Sequence, residues 1–152
     1  MEIREKVRIL LFNPAGDILL MRIEDPHSQE LGRTRDITTR WITIGGGIEP
    51  GETITQAARR EAHEETGVSD IEIGAFRDYR EITFSVHGAP VLFKENYISA
   101  TTGSWQHDYS GWTEEERTIV KELRWWSRQD IRNSDEIFFP HDLEEMMRQA
   151  LA

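Results

Sequence analysis

An α/β sandwich, with a mixed β-sheet held between helices, is the fold class the sequence predicts, and three observations carry it. Short segments with alternating apolar residues recur on both sides of the chain's middle. Between them lies one helix-period segment with a defined start and stop, Thr53 to Gly67, and an amphipathic stretch from Asp142 to Leu151 closes the chain. Elements in that order stack in layers, because each sheet face and each helix stripe must bury its apolar side against something else. At 152 residues the chain reads as one domain, 1–152, long enough to bury a sizeable core.

Taken in order, Val7, Ile9 and Leu11 alternate with Arg8 and Leu10, a strand pattern. Asn13-Pro14-Ala15-Gly16-Asp17 has turn chemistry, and Ile18 to Ile23 reads as the second strand of a hairpin. From Glu24 to Arg40 the chain turns polar and reads as a long loop beside a site. Its arginines Arg33, Arg35 and Arg40 are either phosphate contacts or ordinary solvated charge. Trp41 to Ile44 forms a short strand that runs into Gly45-Gly46-Gly47, read as a glycine-rich loop.

Thr53 with Gln56 three residues on has the form of a capping box, and Gly67 supplies a left-handed stop, so a helix runs from about Thr53 or Ile54 to Thr66. Ile71 to Phe76 and Tyr79 to Val86 read as extended, and His87 to Pro90 turns the chain into a strand from Val91 to Ser99. There Val91, Phe93, Glu95 and Tyr97 share a face, so Glu95 interrupts an apolar row. It is either the guard charge of an edge strand or an inward carboxylate available as a metal ligand or base. In the stretch Thr101 to Thr113, Trp105, Tyr109 and Trp112 either stack a base or pack. Glu122 to Ser127 reads as the last strand with Trp125 and Trp126 as core, followed by a short helix near Arg128 to Arg132 and the terminal one.

Composition narrows the function. Eighteen basic residues against 28 acidic ones give a net charge of −10, a surface that repels nucleic-acid backbone and anionic membrane. A duplex nucleic-acid partner is therefore not expected, and a phosphate ligand would need metal ions or local arginines. The apolar runs fall far short of the roughly 20 residues of a spanning helix, and the residues from Met1 to Lys6 do not read as a signal peptide. There are no cysteines, which excludes disulfides and thiolate metal sites and agrees with a cytoplasmic location.

The informative acids lie on the central helix. Glu61, Glu64 and Glu65 are spaced by three and four, so their carboxylates share one face. Like charges at those spacings repel, and they crowd a last turn where the helix dipole favours a cation. A hard divalent cation, magnesium or manganese, would relieve that repulsion, because such ions take oxygen ligands and reach phosphates through one or two carboxylates.

The spacing Gly46, Glu52, Arg60-Glu61-Ala62, Glu64-Glu65, Gly67-Val68 resembles the signature of the Nudix hydrolase family. The match spans 23 residues, with alanine where the family has a bulky aliphatic at 62 and Ile44 where a proline commonly precedes the glycines. The resemblance implies a Nudix-type α/β/α sandwich and hydrolysis of a pyrophosphate bond by water attack on phosphorus. It implies Glu64 and Glu65 as principal metal ligands, Glu61 as ligand or general base, and Arg60 as the neighbour that orients the acids. Gly46 and Gly47 would let backbone approach metal and phosphates, Glu52 would tie the loop to the helix start, and Glu116 is the first choice for a further ligand or base from a later loop.

The same resemblance points to a nucleoside triphosphate, a nucleotide sugar or an ADP-ribose-like molecule as substrate, and admits a homodimer. It does not choose among substrates: the chain lacks the downstream proline of many ADP-ribose types, and Ser85 stands in the region where many dinucleoside-polyphosphate types have tyrosine. A related isomerase acting on isoprenoid diphosphates uses a cysteine, which is absent here. A non-catalytic nucleotide-sensing Nudix domain is the rival reading; such modules tend to lose motif acids, which this chain keeps.

Overall fold

The computed structural model describes residues 1–103 and 111–152. In chain order the elements are β1 (Glu2–Phe12), β2 (Ile18–Glu24), β3 (Ser28–Glu30), β4 (Thr39–Gly47), α1 (Ile54–Thr66), β5 (Ile71–Val86), β6 (Ala89–Thr102), α2 (Glu114–Ile119), β7 (Val120–Trp126), α3 (Arg128–Asn133), β8 (Phe138–Phe139) and α4 (Leu143–Leu151). The strands form one eight-stranded mixed sheet in the order β3-β5-β6-β1-β2-β4-β8, with β7 added on β2 and β4 also paired to β1. Parallel pairings join β1 to β6 and β4 to β8, and the rest are antiparallel. Apolar clusters fill both faces, as an α/β/α sandwich requires. Val7, Ile9 and Leu11 pack with Ala57, Ala58 and Ala62 of α1 on one face, while Leu10, Phe12 and Tyr97 pack with Leu143, Met146 and Met147 of α4 on the other.

The opening hairpin holds only at its turn. Asn13 carbonyl accepts from Gly16 N–H, but β1 and β2 pair at Phe12 and Ile18 alone. Beyond that point they splay, and β4 enters the gap, pairing Thr39 to Thr43 with β2 and Ile44 to Gly47 with β1. The three glycines are therefore the end of a strand, not a loop. Gly45 explains why glycine is needed: its φ is +139° and a Cβ there would lie 2.0 Å from the Val7 carbonyl oxygen. The polar stretch after β2 contains the short strand β3, which pairs with the far end of β5. The two extended segments after α1 are one strand with an irregularity between Ile73 and Arg77, and the turn into β6 is the pair His87-Gly88 alone, both at positive φ, as tight hairpins demand. No helix among the described residues is long and apolar enough to cross a membrane.

Gly45→Ala should cost about 3 kcal/mol or more, because the new methyl group meets backbone and cannot turn aside. Gly47→Ala, which meets nothing within 4 Å, should stay within about 0.5 kcal/mol of wild type. Urea unfolding of the two variants checks this, and equal midpoints would contradict the strand geometry.

Candidate functional site

Helix α1 is capped at both ends. Thr53 Oγ1 accepts from Gln56 N–H at 3.1 Å while Gln56 Oε1 accepts from Thr53 N–H at 2.9 Å, and Gly67, at φ 79°, donates its N–H to His63 carbonyl. The helix lays Ala57, Ala58 and Ala62 against the sheet, all fully buried. Small side chains there bring the helix close, so Ala62 works by proximity where a bulkier residue would work by filling space. The opposite consequence of that closeness is that acids of the same helix are pressed toward β4.

Arg60 organises them. Its Nε and Nη2 donate to the two oxygens of Glu52 at 2.7 and 2.8 Å, Nη2 also to Gly47 carbonyl at 2.7 Å, and Nη1 to Glu61 at 2.9 Å and Glu64 at 3.2 Å. All five N–H donors of the guanidinium are thus engaged. Hydrogen bonding to Arg60 holds the Glu52 carboxyl at about 2, far below its ordinary range. Glu52 also accepts from Glu49 N–H at 2.8 Å, so it ties the loop to the helix.

Glu65 is 2% exposed and accepts from Gly45 N–H at 2.7 Å, pinning the helix end to the strand. Burial pushes its carboxyl well above the usual range, and the charges of Glu61 and Glu116 push it further, against the pull of Gly45 N–H and Arg8. Glu61 is raised for the same first reason, burial, with Glu64 and Glu116 adding repulsion against Arg60. Gly46 makes room for it: a Cβ there would fall within 2.7 Å of both Glu61 carboxylate oxygens and their carbon. Gly46 therefore contributes space, while Gly47 contributes the carbonyl that Arg60 holds.

Glu116, on α2, joins the same group of acids, since its charge acts on both Glu61 and Glu65. The segment before α2 delivers it. Trp112 Nε1 donates to Glu65 carbonyl at 2.6 Å, and a Cβ on Gly111 would lie 2.6 Å from Glu64 carbonyl oxygen, so this chain crosses directly over the end of α1. Thr113 and Glu116 then form a second capping box that starts α2 and fixes the Glu116 side chain.

Among the described residues no group of three histidine, cysteine or acidic side chains is already closed into a metal-holding set. The donor chemistry nevertheless suits a hard divalent cation. Glu61, Glu64, Glu65 and Glu116 each spend one oxygen on a hydrogen bond within the protein and keep the other. Burial and acidic neighbours raise the Glu61 and Glu65 carboxyls, so negative charge there is only partly compensated by the protein itself.

Other expected residues lie elsewhere. Glu95 does not join the acids: β6 is an interior strand, which removes the edge-guard reading, and Glu95 shares a face with Tyr97, opposite to Ile98 and Ala100 on the α1 side. Its carboxylate takes Arg8 Nε at 2.5 Å, so it is the inward partner of an arginine. Both line a cavity of about 180 Å³ together with Arg40, Phe84, Phe93 and Phe139. Arg40 sits within β4, buried, and donates to Ile37 carbonyl and Ser28 Oγ. Arg33 and Arg35 are exposed and line no part of that cavity; Arg33 faces Glu30 at 3.7 Å and Arg35 borders a separate surface hollow with Arg132 and Glu136. Trp105 and Tyr109 lie outside the described residues.

Arg4, Lys6 and Arg8, which the sequence reading passed over, also line the cavity. Their signal was present: spaced by two on a strand, they must share a face.

The chain matches the sequence model of the NUDIX domain over residues 2–149. Among curated proteins it is similar to the nucleoside triphosphatase NudI of Salmonella schwarzengrund, 51% identical over 43 residues, which is 26% of this chain and 30% of that protein. The chain thus spans less than a third of the curated relatives it matches. Among solved structures it resembles the E. coli dihydroneopterin triphosphate pyrophosphohydrolase, with TM-score 0.62 at 15% identity over 98% of this chain and 97% of that one. It also resembles a NUDIX hydrolase from Nitrosomonas europaea, with TM-score 0.60 at 19% identity over 99% and 88% of the two chains. At such identities the structural likeness speaks for the fold alone.

The raised Glu65 carboxyl makes a stability prediction. A carboxyl whose folded value exceeds its unfolded one binds more protons when folded, so its ionisation removes stability as pH rises from about 4.3 upward. Glu65→Gln keeps an oxygen for Gly45 N–H and removes the charge. In chelator, the variant's thermal midpoint should exceed wild type at pH 8, with the difference shrinking to nothing near pH 4. A variant less stable than wild type at pH 8 would contradict the repulsion among these acids.

Proposed function

The chain belongs to the NUDIX family, and from that premise we propose that it is a metal-dependent pyrophosphohydrolase acting on a small diphosphate-containing molecule, in the first place a nucleoside triphosphate or nucleotide sugar. The observation that carries this reading is the gathering of Glu61, Glu64, Glu65 and Glu116 around one helix end, the first two held by Arg60, with burial and mutual repulsion raising the carboxyls of Glu61 and Glu65. Magnesium or manganese supplies charge neutralisation for diphosphate oxygens and acidifies a water when bound. Glu64 and Glu65, with Glu116, are the residues that would hold it.

Glu61 is the residue assigned to take the proton from the attacking water. Burial and its acidic neighbours raise its carboxyl toward the range where a base both ionises at neutral pH and accepts a proton readily. Arg60 fixes one of its oxygens, so the other keeps a constant aim. Water attacks phosphorus, the P–O bond to the bridging oxygen breaks, and the second phosphate leaves with that electron pair. The cavity beside the acids is the place we assign to the organic part of the substrate, with Arg40 and the phenylalanines as its walls. Likeness over 43 residues to the Salmonella nucleoside triphosphatase NudI favours a triphosphate, and the panel below decides it.

Release of phosphate or pyrophosphate should be measured on nucleoside triphosphates, nucleotide sugars, ADP-ribose and dinucleoside polyphosphates, with magnesium, manganese or chelator. At least one substrate should be cleaved, and only with metal. Glu64→Gln should lose about 100-fold or more in kcat, and Glu61→Gln about 100- to 10,000-fold together with the acid limb of the pH profile. Full turnover in chelator, or in Glu64→Gln, would overturn the reading. Silence across the panel with magnesium binding intact would shift it to a nucleotide-sensing domain.

A further inference from the structure

The cavity lined by β1, β4 and β6 carries a charge pattern that the acids of α1 and α2 do not account for. Four cations line it, Arg4, Lys6, Arg8 and Arg40, against two acids, Asp25 and Glu95. Glu95 is committed to Arg8 at 2.5 Å, and Arg4 turns to Glu2. Lys6 and Arg40 remain without a carboxylate at ion-pair distance among the described residues. Lys6 lies 5.8 Å from the centre of the Phe93 ring, and Arg40 lies 5.8 Å from that of Phe84 and 5.7 Å from that of Phe139.

Arg40 is the sharper case. It is 7% exposed and spends only two of its five N–H donors, on Ile37 carbonyl and Ser28 Oγ. Asp25 makes no direct ion pair with it: its charge acts on Arg40 from beyond ion-pair distance, and the Ser28 hydroxyl bridges them, donating to Asp25 at 2.9 Å. Burying a charge without a partner is costly, and the cost is the greater here because Lys6 and Arg40 share one enclosed space with two further cations. This chain has 18 basic residues for 28 acidic ones, so partners were not scarce. Burial and the neighbouring arginines lower the tendency of both Lys6 and Arg40 to stay charged, against a weaker opposing pull from Glu95 and Glu61 on Lys6 and from Asp25 on Arg40.

The cavity is joined to the acids. Lys6 and Arg8 stand opposite Gly47 and Gly45 on β4, the two glycines whose backbone holds Arg60 and Glu65. Ile119, three residues after Glu116 on α2, lines the cavity. A molecule with its diphosphate at the acids thus extends naturally toward Lys6 and Arg40.

We propose that this cavity binds an anionic group of the substrate, a phosphate or carboxylate separate from the diphosphate that is cleaved, held between Lys6 and Arg40, and that the protein prefers diphosphates whose organic part carries such a group. The donors at Lys6 and Arg40 have no acceptor capacity of their own, so they select acceptor-rich, negatively charged partners over amino-bearing ones. The preference for a substrate rests on the hydrolase reading above, whereas the anion site itself does not.

Two measurements separate them. In chelator, inorganic phosphate titrated calorimetrically into the full chain should bind at the cavity cations alone, because without metal the acidic cluster repels it. Lys6→Met and Arg40→Gln should each weaken that binding at least tenfold, and Glu64→Gln should not weaken it. Arg40 is buried and its variant can fail to fold; Lys6 is half-buried at the cavity wall, and its variant carries the test alone in that event. With magnesium, wild type should turn over the charged member of a matched pair, UDP-glucuronate against UDP-glucose, with a kcat/KM at least tenfold higher, and Lys6→Met should bring the ratio near one. No phosphate binding by folded wild type, or binding that survives Lys6→Met, overturns the anion site. A ratio near one in wild type overturns the substrate preference. Phosphate binding without hydrolysis of any diphosphate leaves the anion site standing and removes the hydrolase reading.

Discussion

One guanidinium holds the functional end of this protein together. Arg60 gives every donor it has to Glu52, Glu61, Glu64 and the Gly47 carbonyl, and in doing so it fixes three carboxylates and a strand end with a single side chain. A lysine would offer one compact point charge in place of a planar fork, and could not meet partners in five directions. The acids that remain under strain are those Arg60 does not neutralise: Glu65, whose contacts are the Gly45 N–H and more distant charges, and Glu61, which shares Arg60 with two others. The repulsion is therefore localised where a cation would relieve it, and the loop and helix start are spared it by the Glu52 pair.

Two electrostatic environments lie side by side that the overall charge conceals. Acids from α1 and α2 gather at one end of β4, and cations from β1 and β4 line the neighbouring cavity. The strand β1 makes this possible by alternation, sending Val7, Ile9 and Leu11 into the α1 core while Arg4, Lys6 and Arg8 face the other way. β4 runs against β1 from Ile44 to Gly47, and the approach needs glycine at position 45, where a Cβ would strike the Val7 carbonyl.

Local signals were read correctly where they are local in origin. Thr53 with Gln56, and Gly67, bound α1 to the residue, because caps are made by side chains three or four positions away. Misreadings arose where the partner was distant. The glycines read as a loop because glycine is commonest there, and they extend as a strand because β1 lies alongside. The strands β3 and β8 are two or three residues long and exist only through β5 and β4, so no periodicity could announce them. Glu116 was placed among the acids by family likeness, but the reason it arrives there, Trp112 and Gly111 crossing the end of α1, is a contact between segments 47 residues apart.

What the sequence determined by itself is the chemistry on offer: a capped helix with three acids on one face, an arginine one turn before Glu64, and a family signature that depends on spacing within 23 residues. Those properties follow from helical geometry, which a chain carries with it. The tertiary structure decided which charges meet. Glu95 and Arg8 are 87 positions apart and form a pair only because β1 and β6 lie side by side in the sheet. Arg33, Arg35 and Arg40 lie within eight positions of each other and part company because only the last is in a strand. Charge pairing depends on distance in space, and for strands that distance is set by register and sheet order, neither of which is written in any short stretch of chain.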